Sequence, residues 1–298
     1  MDKFLAMSTF VRIVEKGSLT AAAAALDTSL PSVVRTLAAL ERDLGVRLLN
    51  RTTRRIHLTD DGTQYLDRCR TILSAVQDAE AALTSRRAEP HGRLAVTASV
   101  LFGRRYIAPI VSDFLRRYPH VSAELLFVDR NVNLVEEGMD VAVRIGHLAD
   151  STLIAVPVGK VRRVVCASPE YLQRRGTPRT PADIRGHACV RHVGLSPRGD
   201  WQFRAGRRPM SIPIVAAISC NEIDSSLEAC LSGGGLGLFL SYQTAPYRNA
   251  KKLRYVLEEF EVEPVPVQVV YPQARLVSSK VRTFVDECVT TLRQARFD

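Results

Sequence analysis

Arg35 stands in the stretch LPSVVRTLAALERDL, where Val33, Leu37, Leu40 and Leu44 recur three and four residues apart. That spacing gathers the apolar side chains on one helical stripe and leaves Ser32, Arg35, Thr36 and Arg42 on the opposite face. An arginine on the polar face of a short helix carries a planar fork of donors that fits a guanine edge or a phosphate. Ser29 precedes the helix as a cap-type residue. Pro31 suits a first turn, which needs no N–H, and offers only an apolar contact, such as to a thymine methyl. Ser29, Pro31, Ser32, Arg35 and Thr36 are thus the candidate duplex-reading set. Beyond Gly45, the segment NRTTRR supplies Arg51, Thr53 and Arg54 at the tip of a basic wing, placed for phosphate or minor-groove contacts. The alternative for each of these residues is ordinary solvated surface, and for Ser29 a cap alone.

A second chemistry lies further along. Ser99 follows the strand-like run LAVTA, and Val100 to Gly103 leads into a helix. Ligands sit beyond the carboxyl ends of parallel strands and near helix N-termini, so a hydroxyl beside free N–H groups suits a carboxylate. Ser99, Val100, Phe102, Arg144, Trp201 and Asn221 are the candidate effector-binding residues. Capping competes for Ser99 and Asn221, a structural ion pair for Arg144, and core packing for Phe102 and Trp201.

Agents of catalysis are missing. The six histidines, at 57, 91, 120, 147, 187 and 192, form no HExxH or compact metal pattern. No GxSxG elbow, Walker loop or dinucleotide fingerprint is present, and Gly233–Gly235 follows a helical run instead of opening one. The six cysteines, at 69, 166, 189, 220, 230 and 288, make no CxxC pair and read as free thiols. No metal or organic cofactor is expected.

The elements that must position these residues follow from pattern and punctuation. Asp2 to Lys16 reads as a first helix with Phe4, Leu5, Phe10, Val11 and Val14 on its apolar face. The alanine run from Ala21 allows a close crossing by the helix that carries Arg35, which is the helix-turn-helix solution for a major groove. Thr59-Asp60-Asp61-Gly62 opens a long helix to about Ser85 whose stripe, including Ile72, Leu73 and Val76, asks for a partner. From Arg93 strands alternate with helices, which predicts an α/β region with a mainly parallel sheet. The 298 residues, 46% hydrophobic and 24% charged, suit a soluble globular protein of two or three domains. The chain shows no apolar run of membrane-span length and no convincing secretory signal, so a cytoplasmic protein with no membrane partner is expected. The formal charge of +10 favours a polyanionic partner without locating it: residues 1–58 carry a surplus of four and residues beyond 90 a surplus of eight.

Taken together, AAAALDTSLPSVVRTLAALERDLGVRLLNRTTRRIHLTDDG and the later EEGMDVAVRIG resemble the LysR-type transcriptional regulators. The match rests on Val33, Arg35, Leu40, Glu41, Leu44, Gly45, Leu48, Arg51, Arg54, Leu58, Thr59 and Gly62 at fixed spacing, and on the subgroup motif EGxDVAVRIG. The chain departs from the pattern at Val34, where a hydroxyl residue is usual, and at Leu30-Pro31. The resemblance implies a fold class of α/β with an N-terminal all-α winged helix-turn-helix over residues 1–59. It further implies a linker and dimerisation helix over 60–91 and an effector domain over 92–298. That domain would have two α/β lobes, as in a periplasmic binding protein: lobe I about 92–161 and 267–298, lobe II about 162–266. Crossings are expected near 160–163 and 266–268. The implied partners are double-stranded DNA with a pseudo-palindromic operator, a second copy as dimer or dimer of dimers, and RNA polymerase. The implied ligand is a small-molecule effector, expected to be an anionic or aromatic carboxylate. The rival readings are a solute-binding protein without DNA regulation and a nucleoid-type DNA-binding protein without an effector.

Overall fold

The Asp2 carboxylate accepts the N–H groups of Phe4 at 3.0 Å and Leu5 at 3.1 Å and so starts α1, Lys3–Lys16. Gly17 ends it with φ at +62°, a left-handed conformation suited to glycine. Ser18 caps α2, Leu19–Ala25, and Ser29 caps α3, Leu30–Leu44. The computed structural model describes residues 1–51, 56–84, 89–146, 153–273 and 278–297, with 51, 74, 75 and 77–84 as backbone alone.

The chain divides into Met1–Arg93 and Leu94–Asp298. In the first unit, β1 (Leu49–Arg51) pairs antiparallel with β2 (Ile56–Leu58), joining Leu49 to Leu58. The long helix α4 follows, Asp60–Thr84. Its first turns belong to the N-terminal core: Leu66 and Cys69 are buried with Phe10, Ile13, Ala22, Val33, Leu37, Leu40 and Leu48. Leu73, expected to lack a place, packs partly against that core, whereas Ile72 is 39% exposed. Two expectations need correction. Phe4 and Leu5 face solvent, and the buried face of α1 is Ala6, Thr9, Phe10, Val11 and Ile13, with Phe10 and Val11 as expected. Leu44 is exposed because the helix ends there.

Side-chain hydrogen bonds of Glu41 and Thr59 tie the wing to its flanking segments. The Glu41 carboxylate accepts the N–H groups of Leu48 at 2.9 Å and Leu49 at 3.2 Å. Thr59 Oγ1 donates to the Arg47 carbonyl at 2.7 Å and accepts the Gly62 N–H at 2.9 Å. A Cβ on Gly62 would stand 2.0 Å from the Leu48 carbonyl oxygen, so only glycine fits.

The second unit holds two five-stranded sheets. Its elements run β3 (Gly92–Ala98), α5 (Val100–Phe102), a π-helical turn (Gly103–Ile107) and α6 (Ala108–Arg117), then β4 (Val121–Phe127), β5 (Val141–Ile145) and β6 (Leu153–Val161). After these come β7 (Arg163–Ala167), α7 (Pro169–Arg175), β8 (Cys189–His192), β9 (Asp200–Ala205), β10 (Arg208–Pro213) and β11 (Ala216–Cys220). The chain closes with α8 (Ile223–Leu231), β12 (Leu236–Leu240), α9 (Ser241–Asn249), β13 (Arg254–Val256), β14 (Val265–Pro272) and α10 (Ser279–Gln294).

Lobe I has the strand order β4-β3-β5-β14-β6, and lobe II β11-β8-β12-β7-β13. Both sheets are mixed. β3 runs parallel to β5, while β14 runs antiparallel to β5 and β6. In lobe II, β8 is parallel to β11 and β12, while β7 is antiparallel to β12 and β13. The expected mainly parallel direction holds with one reversed strand in each sheet: β3, β5 and β6 run one way and β14 against them, and β11, β8, β12 and β13 run one way and β7 against them. One crossing is Arg162, between β6 and β7; the other precedes β14, because Val265 already pairs with Val161. The second crossing thus lies before residues 266–268.

Strand residues alternate between two buried faces. In lobe I, Val96 and Val143 lie with Phe114 and Phe284, while Ala95 and Ala142 lie with Leu134 and Met139. In lobe II, Val164 and Cys166 lie with Leu227 and Phe239, while Val165 and Ala167 lie with Tyr171 and Trp201. Residues 134–137, whose pattern ahead of Gly138 reads as a short helix, form turns together with Gly138. At the first crossing the Arg162 N–H donates to Ser241 Oγ at 3.1 Å, and Ser241 Oγ donates to the Phe297 carbonyl at 2.8 Å. The Phe297 ring packs on Gly159, where a Cβ would meet it at 2.4 Å. All six cysteines are free, and burial pushes the Cys189 and Cys288 thiols up to about 12. No helix among the described residues is long and apolar enough to cross a membrane.

Candidate functional site

The exposed face of α3 is built from its cap outward. Ser29 Oγ accepts the Ser32 N–H at 3.4 Å, so its hydroxyl closes the first turn. Pro31 lies exposed in that turn, and Ser32 and Thr36 are partly exposed. Val33, Leu37 and Leu40, at 1%, 1% and 2% exposure, fix the helix against the core. Arg35 therefore points to solvent, and it makes no ion pair among the described residues. The first turn of α3 holds no acidic residue, so nothing there repels a phosphate. Leu30, 40% exposed, adds an apolar contact that the sequence reading did not include. The side chain of Arg51, and Thr53 and Arg54 entirely, lie outside the described residues; the Arg51 backbone pairs with Ile56 in the wing.

The second site is a cleft of about 190 Å³ between the two lobes. Ser99, Leu101, Asp129 and Arg144 line it from lobe I, and His192, Ile223, Leu240 and Tyr242 from lobe II. Ser99, Asp129 and His192 all stand at the carboxyl ends of strands, where α/β folds place their ligands.

The candidate residues divide in the structure. Ser99 lines the cleft, and its Oγ is buried without a hydrogen-bond partner. Arg144 also lines it, but its guanidinium donates to the carbonyls of Arg130 at 3.3 Å and Val132 at 3.0 Å, a structural brace. Burial lowers the Arg144 pKa. Val100 contributes backbone: its N–H donates to the Asp129 carboxylate at 3.1 Å. That donor supported the expectation of a carboxylate effector, and the chain's own carboxylate fills it. Phe102 and Trp201 are corrections. Phe102 is wholly buried against Tyr106, Tyr242 and Phe297, because the turn from β3 drives its ring into the core. Trp201 is 1% exposed in the second-lobe core, where it anchors the β9–β10 hairpin. Asn221 is exposed and does not line the cleft; the cap of α8 is Glu222, which accepts from Asp224 at 3.0 Å and Ser225 at 2.6 Å. Those two N–H groups hold the Glu222 carboxyl below its usual range.

Asp129, His192 and Tyr242 escaped the sequence reading. His192 is 7% exposed. Its Nδ1 accepts the Leu195 N–H at 3.3 Å, which leaves the ring proton on Nε2, and Nε2 has no hydrogen-bond partner. Burial lowers its pKa, against the opposing pull of Asp129, the Asn221 backbone and Glu222. Burial likewise raises the Tyr242 pKa. The Ser99 hydroxyl lies close enough to oppose that rise, yet the pair does not meet hydrogen-bond geometry. The signal for Asp129 and His192 was present in their positions at strand ends. Among the described residues, no group of three or more His, Cys, Asp or Glu side chains is placed to hold a metal ion.

Comparison with known proteins adds independent findings. Residues 4–63 match the model of bacterial regulatory helix-turn-helix proteins of the lysR family, and residues 87–293 match the LysR substrate binding domain. The chain is 37% identical over 288 residues to an HTH-type transcriptional repressor of Pseudomonas aeruginosa, covering 96% of this chain and 91% of the relative. It is 31% identical over 288 residues to the HTH-type transcriptional activator AaeR of Escherichia coli, covering 96% and 93%. Among solved structures it matches CrgA, a LysR-type transcriptional regulator from Neisseria meningitidis. That match has a TM-score of 0.62 and 31% identity, over 97% of this chain and 98% of that one.

Proposed function

The chain belongs to the LysR family of bacterial DNA-binding regulators, and from that premise we propose that a small solute in its inter-lobe cleft alters its grip on a specific duplex site. It reads a pseudo-palindromic operator as a dimer or a dimer of dimers, with α3 in the major groove. RNA polymerase is the further partner through which that contact changes transcription. It is a regulator and not an enzyme.

The observation that carries this reading is the division of α3. Val33, Leu37 and Leu40 are buried, while Arg35 projects from the opposite face beside Ser32 and Thr36. A fixed helix with an exposed arginine and small polar neighbours suits base edges in a groove. The cleft supports the second half. A solute regulates only if it binds two conformations with different affinity, and lobes joined at two crossings supply such conformations.

The experiment uses the purified full chain on sheared genomic DNA, followed by footprinting of the recovered fragments. The reading expects protected half-sites related by a dyad and spaced by about one helical turn, roughly 10 base pairs, or a multiple of it. Uniform recovery of all fragments without a footprint would point instead to a nucleoid-type protein.

A further inference from the structure

Four arginines stand in or beside the inter-lobe cleft, and each is already engaged. Arg144 donates to two backbone carbonyls, Arg130 to both oxygens of Glu137 at 2.8 and 2.7 Å, Arg104 to Asp224 at 3.0 Å and Arg105 to the Tyr242 carbonyl at 2.7 Å. The helix N-termini at the cleft are already partly occupied. Asp129 takes the Val100 N–H, and Glu222 takes those of Asp224 and Ser225. Among the described residues that line the cleft, a solute carboxylate would find no free charged donor and would face the Asp129 carboxylate.

Beside the Ser99 hydroxyl, which can donate or accept, two further groups of the cleft are open among the described residues and have opposite hydrogen-bonding character. One is the second oxygen of Asp129, an acceptor only, on lobe I. The other is His192 Nε2–H, a donor on a side chain more than nine-tenths buried, on lobe II; the Asn221 backbone lies near this ring without meeting hydrogen-bond geometry. Asp129 and His192 lie close enough to interact electrostatically across the cleft. A group that satisfies both must donate to one and accept from the other. A carboxylate offers no donor to Asp129, and an ammonium offers no acceptor to His192. A hydroxyl offers both, and leaving a buried polar group unmatched is the costlier outcome. Leu101, Ile223 and Leu240 supply an apolar wall beside this pair.

We propose that Asp129 is the selectivity residue of the cleft: with His192 it selects a small, uncharged, hydroxyl-bearing solute and rejects a carboxylate of the same shape. The inference rests on the reading of the cleft as a solute site. It replaces the carboxylate expected from the sequence, because the donor meant for that carboxylate is held by Asp129.

The test uses saturation-transfer NMR on the full chain with three probes of one ring and different charge: benzyl alcohol, benzoate and benzylamine. Benzyl alcohol is expected to bind at least tenfold more tightly than either charged probe. Asp129→Ala frees the Val100 N–H, so benzoate should gain at least tenfold and benzyl alcohol should lose affinity. Asp129→Asn keeps an oxygen acceptor for that N–H while removing the charge, and benzoate should gain less than in the alanine variant. Asp129 is exposed, so both variants should retain the parent's unfolding transition. Benzoate bound as well as benzyl alcohol in the parent, or a ratio unchanged by Asp129→Ala, would overturn the selectivity while leaving the solute site standing. Binding of none of the three would overturn both.

Discussion

Glu41 Oε1 accepts the Leu48 N–H at 2.9 Å, seven residues on, and thereby ties the wing to the helix that carries Arg35. A wing and a recognition helix must hold one mutual geometry to meet adjacent grooves. Glu41→Ala should cost about 1–3 kcal/mol, the range for a lost hydrogen bond to a charged acceptor that leaves buried donors unpaired. Urea unfolding of the full chain measures this, and Glu41→Gln should lose less because it keeps an oxygen acceptor. Equal stability of parent and Glu41→Ala would show that the tie is ornamental.

The Phe297 ring fills the space over Gly159 and packs against Phe102 and Tyr106. Phe297→Ala should destabilise the second unit by about 3–5 kcal/mol, as buried phenylalanine truncations do. Its carbonyl also accepts from Ser241 at the lobe crossing, so the loss should come with faster amide exchange at Arg162 and Ser241. Unchanged exchange there would mean that the ring acts as filler and not as a hinge contact.

How far the sequence was legible depends on where each signal resides. Period and caps placed α3 well, because Ser29, Val33, Leu37, Leu40 and Gly45 are local signals. They misjudged Phe4 and Leu5, where apolar type outweighed helical phase. α9 was missed because Pro246 sits inside it, and proline argues against a helix interior. Trp201 and Phe102 drew attention as aromatics, yet their burial depends on elements distant in the chain. The cleft was the least legible part. Asp129, His192 and Tyr242 come from three separate segments, and only the strand-end positions of the first two carried a signal.

α4 supplies a prediction about assembly. Ile72 remains 39% exposed on a helix that otherwise feeds the N-terminal core through Leu66 and Cys69. A two-fold pairing of this helix would cover it and set two recognition helices on a dyad. Ile72→Asp combined with Val76→Asp should give monomers that bind duplex DNA weakly. Sedimentation at micromolar concentration reads the mass, and an unchanged oligomer would reject the pairing.

His192 makes stability depend on pH. Burial lowers its pKa in the folded chain from the ordinary 6.5, so below that value the unfolded chain binds more protons than the folded one. Stability contributed by this group is therefore complete above about 6.5 and lost as pH falls through the lower folded value. Urea unfolding at pH 7.5 and 5.5 should show a larger loss for the parent than for His192→Gln. Equal losses would place the imidazole in an environment no different from water.

The central claim is that Arg35 reads the duplex. It is exposed on α3, free of any ion pair among the described residues, and held by a buried stripe on the other side. Fluorescence anisotropy of the parent and Arg35→Ala on the recovered operator, at one stated salt concentration, is the most direct measurement. The account predicts a loss of about 1–3 kcal/mol in affinity, with discrimination relaxed at one base pair and the oligomeric mass unchanged. Equal affinity and equal discrimination in the variant would contradict it.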